Sequence, residues 1–121
     1  GLDDGGLDRA SQSAVAGGYF ATGQRCTASS RGFVQAGIYD KFVEGVAVRA
    51  KALKVGNALD AATQMGPAVT DIQLKGNLKY VDIAIKEGGR LLAGGADPLR
   101  SAPLPAHGMT LPHALLLADT R

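Results

Sequence analysis

Tyr19-Phe20-Ala21-Thr22-Gly23-Gln24-Arg25-Cys26-Thr27-Ala28-Ser29-Ser30-Arg31 is the most informative stretch of this chain. Small and polar residues dominate it, and it carries the one cysteine of the sequence. An unpaired cysteine is most often a small buried hydrophobe. Here Cys26 lies in a polar segment and not on an apolar stripe. Arg25 and Arg31 are near enough in sequence to favour a thiolate electrostatically. Glycine and serine neighbours leave room for a substrate, although any loop holds such residues. On residue types alone the inert and the reactive reading of Cys26 balance. Gln24 is expected to hold the loop by hydrogen bonds to backbone. Arg25 and Arg31 are expected to be solvated or structural, and Tyr19 and Phe20 to pack.

Working outward, Leu7 to about Gly18 predicts a helix, with Leu7, Ala10, Ala14, Val15 and Gly18 on one face. Asp3, Asp4 and Asp8 bring negative charge to its N-terminus, where the helix dipole favours it. That face is made of small residues, so its neighbour must pack closely. Gly17 and Gly18 weaken the far end by about 1 kcal/mol each relative to alanine. After the cysteine segment, Arg31 to Gly37 reads as a short strand around Phe33 and Val34. Asp40 is expected to cap a helix running to about Val55, closed by Gly56. Its apolar stripe is Phe42, Val43, Val46, Ala50 and Leu53. Gly32 and Gly45 fall inside these two elements and weaken each.

Asn57 to Val69 is a loop turning at Gly66-Pro67. Thr70 and Gln73 form a potential capping box for a second long helix. Its stripe is Leu74, Leu78, Val81 and Ile85, and Gly88-Gly89 ends it. Arg90 to Ala93 is a short strand. Four of the five prolines (Pro98, Pro103, Pro105 and Pro112) then mark a loop, and Ala114 to Ala118 is a final strand. This order of elements suits an α/β fold with a mostly parallel open sheet and flanking helices.

A length of 121 residues fits one domain and is enough to bury a core. With 45% hydrophobic and 20% charged residues, the composition argues against disorder. Thirteen basic residues against eleven acidic ones are spread evenly, so no nucleic-acid partner is expected. No apolar run approaches the roughly 18 residues of a membrane span, so no membrane partner is expected. Nothing near the N-terminus resembles a signal peptide. A single cysteine excludes an internal disulfide framework and fits a reducing, cytoplasmic compartment. His107 and His113 lie six apart in the proline-rich stretch, so a metal site is not expected.

The segment Tyr19 to Ala28 resembles the active-site cysteine signature of the aldehyde dehydrogenase superfamily. That signature has an aromatic residue, then Gly-Gln, one residue, and Cys. Phe20, Gly23, Gln24, Cys26 and Ala28 match it. The resemblance extends outward through Leu7-Asp8-Arg9-Ala10, Ile38 to Glu44, Lys54-Val55-Gly56-Asn57, Gly66-Pro67, Glu87-Gly88-Gly89 and Gly94-Gly95. It covers nearly the whole chain and is closest to enzymes of small semialdehydes, such as α-ketoglutaric semialdehyde. It implies that Cys26 is the catalytic nucleophile. The thiolate would attack an aldehyde carbonyl to give a thiohemiacetal, with the Cys26 N–H as one oxyanion donor. Hydride would pass to NAD or NADP, and water would hydrolyse the resulting thioester.

The same resemblance marks out what this stretch does not carry. A family chain is several times longer and has a Rossmann-type cofactor domain. No Gly-x-Gly-x-x-Gly occurs in these residues. The family's catalytic glutamate and the oxyanion-hole asparagine should lie upstream, and a Glu-x-Phe-Gly-Pro segment downstream. The chain is therefore expected to be a single partial catalytic domain spanning 1–121, without cofactor-binding or oligomerisation domains. No cofactor is expected to bind it alone, and no dehydrogenase activity is expected of it alone. Residual Cys26-dependent esterase activity is one alternative. A non-catalytic α/β module, self-associating through the small-residue face or the Leu74/Leu78/Val81/Ile85 stripe or docking on the rest of the enzyme, is another. Gly5-Gly6 before Leu7 and the position of Pro112 depart from the family pattern.

Overall fold

The computed structural model describes residues 4–94 and, as backbone only, 115–117. His107, His113 and the expected loop between the last two strands lie outside the described residues. The chain forms two compact units, Gly1–Leu53 and Lys54–Arg121.

The first unit holds helix α1 (Leu7–Tyr19), a 3-10 turn (Ala36–Ile38) and helix α2 (Tyr39–Lys51). The expected face of α1 is the one that packs. Val15 is buried, and Leu7, Ala10, Ala14 and Gly18 are half-buried. Against it α2 presents Val43, Val46 and Ala50, all buried. Ser11 is the most deeply buried polar residue among those described, at 1% exposure. Its Oγ lies 3.0 Å from both Leu7 O and Asp8 O, so the helix itself satisfies the hydroxyl. Facing it is Gly45, where a Cβ would come within 3.2 Å of Ser11 Oγ. Gly45 is thus the point of close approach between two helices, and its absent side chain is what the packing needs. Arg49 braces the same contact. Its Nη1 donates to Gly45 O at 3.1 Å, and its Nη2 pairs with Asp8.

Three expectations for this unit need correction. Residues 31–35 are irregular and not a strand, and Phe33 is 88% exposed. A strand persists only through ladder bonds to a neighbour, and no described strand lies beside this segment. Asp40 does not cap α2. The Ile38 N–H donates to Gln35 O at 3.1 Å, and the 3-10 turn runs directly into the helix with Ile38 as N-cap. Asp40 sits instead in the first turn, where the dipole favours a carboxylate. The helix also stops at Lys51, short of Val55, with Ala52 as C-cap.

The second unit opens with a loop held by backbone bonds. Val55 and Met65 make an isolated parallel bridge, with Gln64 N–H to Lys54 O at 2.8 Å and Gly56 N–H to Met65 O at 3.1 Å. Gly56 belongs to this pairing and closes no helix. A Cβ on it would meet Thr63 Oγ1 at 3.0 Å. Met65 and Ala68 are buried, and with Leu74, Val81 and Ala93 they are the described apolar core of the unit.

Helix α3 (Asp71–Lys86) starts where the cap predicts, because the Gln73 N–H donates to Thr70 Oγ1 at 3.2 Å. Only this half of the capping box forms. The Gln73 side chain donates to Asn77 Oδ1 at 2.8 Å, one turn along. Leu74 and Val81 are buried, Leu78 is half-buried, and Ile85 is 45% exposed, so the buried stripe is narrower than the sequence implies. At the far end Gly88 adopts φ +94°. The Gly89 N–H donates to Ala84 O at 2.8 Å and the Gly88 N–H to Ile85 O at 3.1 Å. This pair of bonds is a Schellman closure. Replacing Gly88 by alanine is expected to lower stability by about 1 kcal/mol, because L-residues are disfavoured at that φ. A urea midpoint unchanged from wild type would refute it.

Strand β1 (Arg90–Ala93) follows at once and pairs with strand β2 (Leu115–Leu117). The pairing is antiparallel, Arg90 to Leu117 and Leu91 to Leu116, with an irregularity before Ala93 meets Leu115. Both strands fall where expected, and the α/β class holds. The expected mostly parallel arrangement does not apply to this described pair.

Candidate active site

The cysteine segment is built as a chain of turns leaving α1. The Thr22 N–H donates to Tyr19 O at 2.8 Å, and the Gln24 N–H to Ala21 O at 2.9 Å. Thr22 (φ +54°) and Gly23 (φ +70°) are both left-handed. Glycine takes this conformation freely, but for a β-branched threonine it is an outlier that costs of order 1–3 kcal/mol. The strain is held by side chains. Thr22 Oγ1 donates to Ala21 O at 2.7 Å and accepts from the Gln24 amide. The Gln24 side chain thus holds the loop through the Thr22 hydroxyl, a side-chain partner where backbone was expected.

A third turn presents the thiol. The Ala28 N–H donates to Arg25 O at 3.0 Å, placing Cys26 and Thr27 at its two central positions. Cys26 is a free, exposed cysteine. Among the described residues neither the Cys26 nor the Thr27 N–H has a protein acceptor. The turn thus carries an exposed thiol and two backbone donors without a protein acceptor among the described residues, which suits a nucleophile and a developing oxyanion. Arg25 and Arg31 are exposed, as expected of solvated side chains. Phe20 is 49% exposed, which corrects its reading as a packing residue.

The segment then returns to the helix it left. The Ser29 N–H donates to Gly17 O at 3.0 Å. A Cβ on Gly17 would lie 2.9 Å from Ser29 Oγ, and one on Gly18 would lie 3.4 Å from Ser29 O. Gly17 is therefore a seat for the end of the cysteine segment, and not only part of a weak helix terminus. Sequence reasoning missed this seat and the strained Thr22. The adjacent glycines at a helix end were the available signal for the first, and nothing in the sequence marked the second.

Tyr19 links the helix to the turns. Burial pushes its phenol up to about 12, from the ordinary value of 10.0. The neutral phenol is the form that the fold holds. Between pH 10 and 12 the unfolded chain loses this proton while the folded one keeps it, so stability falls as pH rises through that window. Absorbance titration of the native chain is expected to show one of its three tyrosines ionising near pH 12, and Tyr19→Phe to remove that step. Three tyrosines ionising together near pH 10 would refute it.

Residues 2–116 match the sequence model of the Aldehyde dehydrogenase family. The chain belongs to that family. Among curated relatives, betaine aldehyde dehydrogenase of Mesorhizobium japonicum is 41% identical over 97 residues, 80% of this chain and 20% of the relative. That of Cereibacter sphaeroides is 43% identical over 94 residues, 78% of this chain and again 20% of the relative. Among solved structures, betaine aldehyde dehydrogenase from Staphylococcus aureus in complex with NAD+ superposes with a TM-score of 0.82 at 35% identity. It covers 94% of this chain and 22% of its own. A 3,6-anhydro-L-galactose dehydrogenase superposes with a TM-score of 0.86 at 30% identity over 95% of this chain and 24% of its own. The chain spans about a fifth of the length of the curated relatives it matches. The family resemblance read from Phe20 to Ala28 stands, and so does the reading of the fold as part of an aldehyde dehydrogenase domain.

Among the described residues no helix is long and apolar enough to cross a membrane. No group of three His, Cys, Asp or Glu among them is placed to hold a metal ion.

Proposed function

We propose that this chain is the nucleophile-bearing part of the catalytic domain of a cytoplasmic NAD(P)-dependent aldehyde dehydrogenase, with Cys26 as the nucleophile. The observation that carries the reading is the exposed Cys26 on a turn with free N–H groups, inside a sequence of this family. In the parent reaction the Cys26 thiolate adds to the aldehyde carbon, and the carbonyl electron pair moves to oxygen, where the turn donors stabilise it. Oxidation of that adduct gives a thioester, and water then releases a carboxylate and the free thiol. The hydride of that oxidation would pass to NAD+ or NADP+, whose phosphates a glycine-rich turn between strand and helix commonly holds. This chain alone is expected to give no Cys26-dependent reduced cofactor from an aldehyde and NAD+ or NADP+, and its appearance would overturn that expectation.

The substrate reading follows the relatives. They are named for betaine aldehyde, which favours a small aldehyde of that kind over α-ketoglutaric semialdehyde. The residual esterase reading is the same chemistry entered from an activated ester. It supplies the test. With 4-nitrophenyl acetate the Cys26 thiolate attacks the ester carbonyl, the carbon–oxygen bond breaks, and 4-nitrophenolate leaves. An acetyl group remains on Sγ until water removes it. Mass spectrometry is expected to find that acetyl group on the peptide containing Cys26. Acetylation confined to lysines, with Cys26 unmodified, would sink the nucleophile reading and leave the non-catalytic assembly module.

A further inference from the structure

We propose that Gly17 and Ser29 are positioning residues for Cys26, an assignment that rests on the nucleophile reading above. The cysteine segment is anchored at both ends on the same turn of α1. It departs from Tyr19, and Ser29 returns to Gly17 through the 3.0 Å bond from its N–H to Gly17 O. The seat is tightest at residue 17, where a Cβ would fall 2.9 Å from Ser29 Oγ, a hydroxyl that can swing aside, and 3.6 Å from Ser29 Cβ, which has no such freedom to make way for a branched side chain. At residue 18 a Cβ would sit in ordinary contact, 3.4 Å from Ser29 O. Between the two anchors the backbone is held by three successive turn bonds, the last of which, Ala28 N–H to Arg25 O, presents Cys26.

A loop with its ends fixed together at this spacing has few ways to place the residues between. Pulling Ser29 off the helix would free the Arg25–Ala28 turn and so the thiol and its neighbouring N–H donors. This gives Gly17 a purpose that helix stability does not. Alanine there would strengthen the helix, yet a branched side chain would press on the returning Ser29.

The test compares the rate at which iodoacetamide alkylates Cys26 in four chains and in a free peptide of residues 19–31. Gly17→Val fills the seat. Gly17→Val with Ser29→Gly fills it while clearing the opposing side chain. Gly45→Ala crowds Ser11 in the same unit without touching the loop, and so reports destabilisation alone. The wild type and Gly45→Ala are expected to react alike and faster than the peptide. Gly17→Val should fall about tenfold, toward the peptide, and the double variant should regain the wild-type rate. Should Gly17→Val not fold, Ser29→Pro removes the N–H donor without altering α1 and is expected to show the same fall. A wild type faster than the peptide, with Gly17→Val or Ser29→Pro unchanged, overturns the positioning role and leaves the nucleophile. A wild type no faster than the peptide overturns both.

Discussion

Cys26→Ser is expected to slow the release of 4-nitrophenolate by this chain about a thousandfold or more, to the rate of the buffer with protein lysines. The reason is chemical. Sulfur is by its nature a far stronger nucleophile than a serine oxygen, and a serine hydroxyl at this exposed turn has no described base to take its proton. Serine is close to isosteric, so the Arg25–Ala28 turn and the Ser29 anchor remain in place. The change therefore reads the atom and not the fold. Circular dichroism should be the same for the two chains. An unchanged rate in the serine variant would place the hydrolysis elsewhere on the molecule.

Leu74→Ala is expected to cost about 2–5 kcal/mol of stability. Leu74 is 3% exposed and lies in the first full turn of α3, in the described core with Met65, Ala68, Val81 and Ala93. Truncation removes apolar area from the interior and leaves a cavity, and both terms destabilise. The effect should appear as a lower urea midpoint in the transition of the second unit. The matching change at Ile85 is expected to cost under about 1 kcal/mol, because that side chain is half in solvent already. Equal losses at the two positions would mean that α3 buries a different face from the one described. The comparison separates a helix packed by Leu74 and Val81 from one packed by the full four-residue stripe.

The three helices were legible because their signals are local. Leu7, Ala10, Ala14 and Val15 repeat with the helical period, and Thr70 lies three residues before the N–H it accepts from. Gly88-Gly89 is the usual punctuation of a helix end, and the bonds to Ile85 and Ala84 close it. The boundaries of α2 were less legible. Its start depends on the 3-10 turn at Ala36–Ile38, which competes with a cap at Asp40 by delivering the chain already coiled. The strand expected around Phe33 and Val34 was misread for a different reason. Apolar residues in a row state a preference for pairing, but a strand exists only when a partner lies alongside.

The candidate site divides the same way. The types and spacing of Phe20, Gly23, Gln24, Cys26 and Ala28 determined the family and the reactive atom, because a nucleophile needs a particular element at a particular place in the chain. Sequence also determined that Gly17-Gly18 would be a soft helix end, and that Gly45 would be an odd choice within a helix. Only the tertiary structure decided what those glycines are for. Gly45 lets two helices meet over Ser11, and Gly17 lets the loop come home to α1 at Ser29. Both are contacts between residues distant in sequence, where one missing Cβ sets how near two backbones lie. No local pattern records that distance. It is fixed only when both segments have folded and each has taken up the space the other leaves.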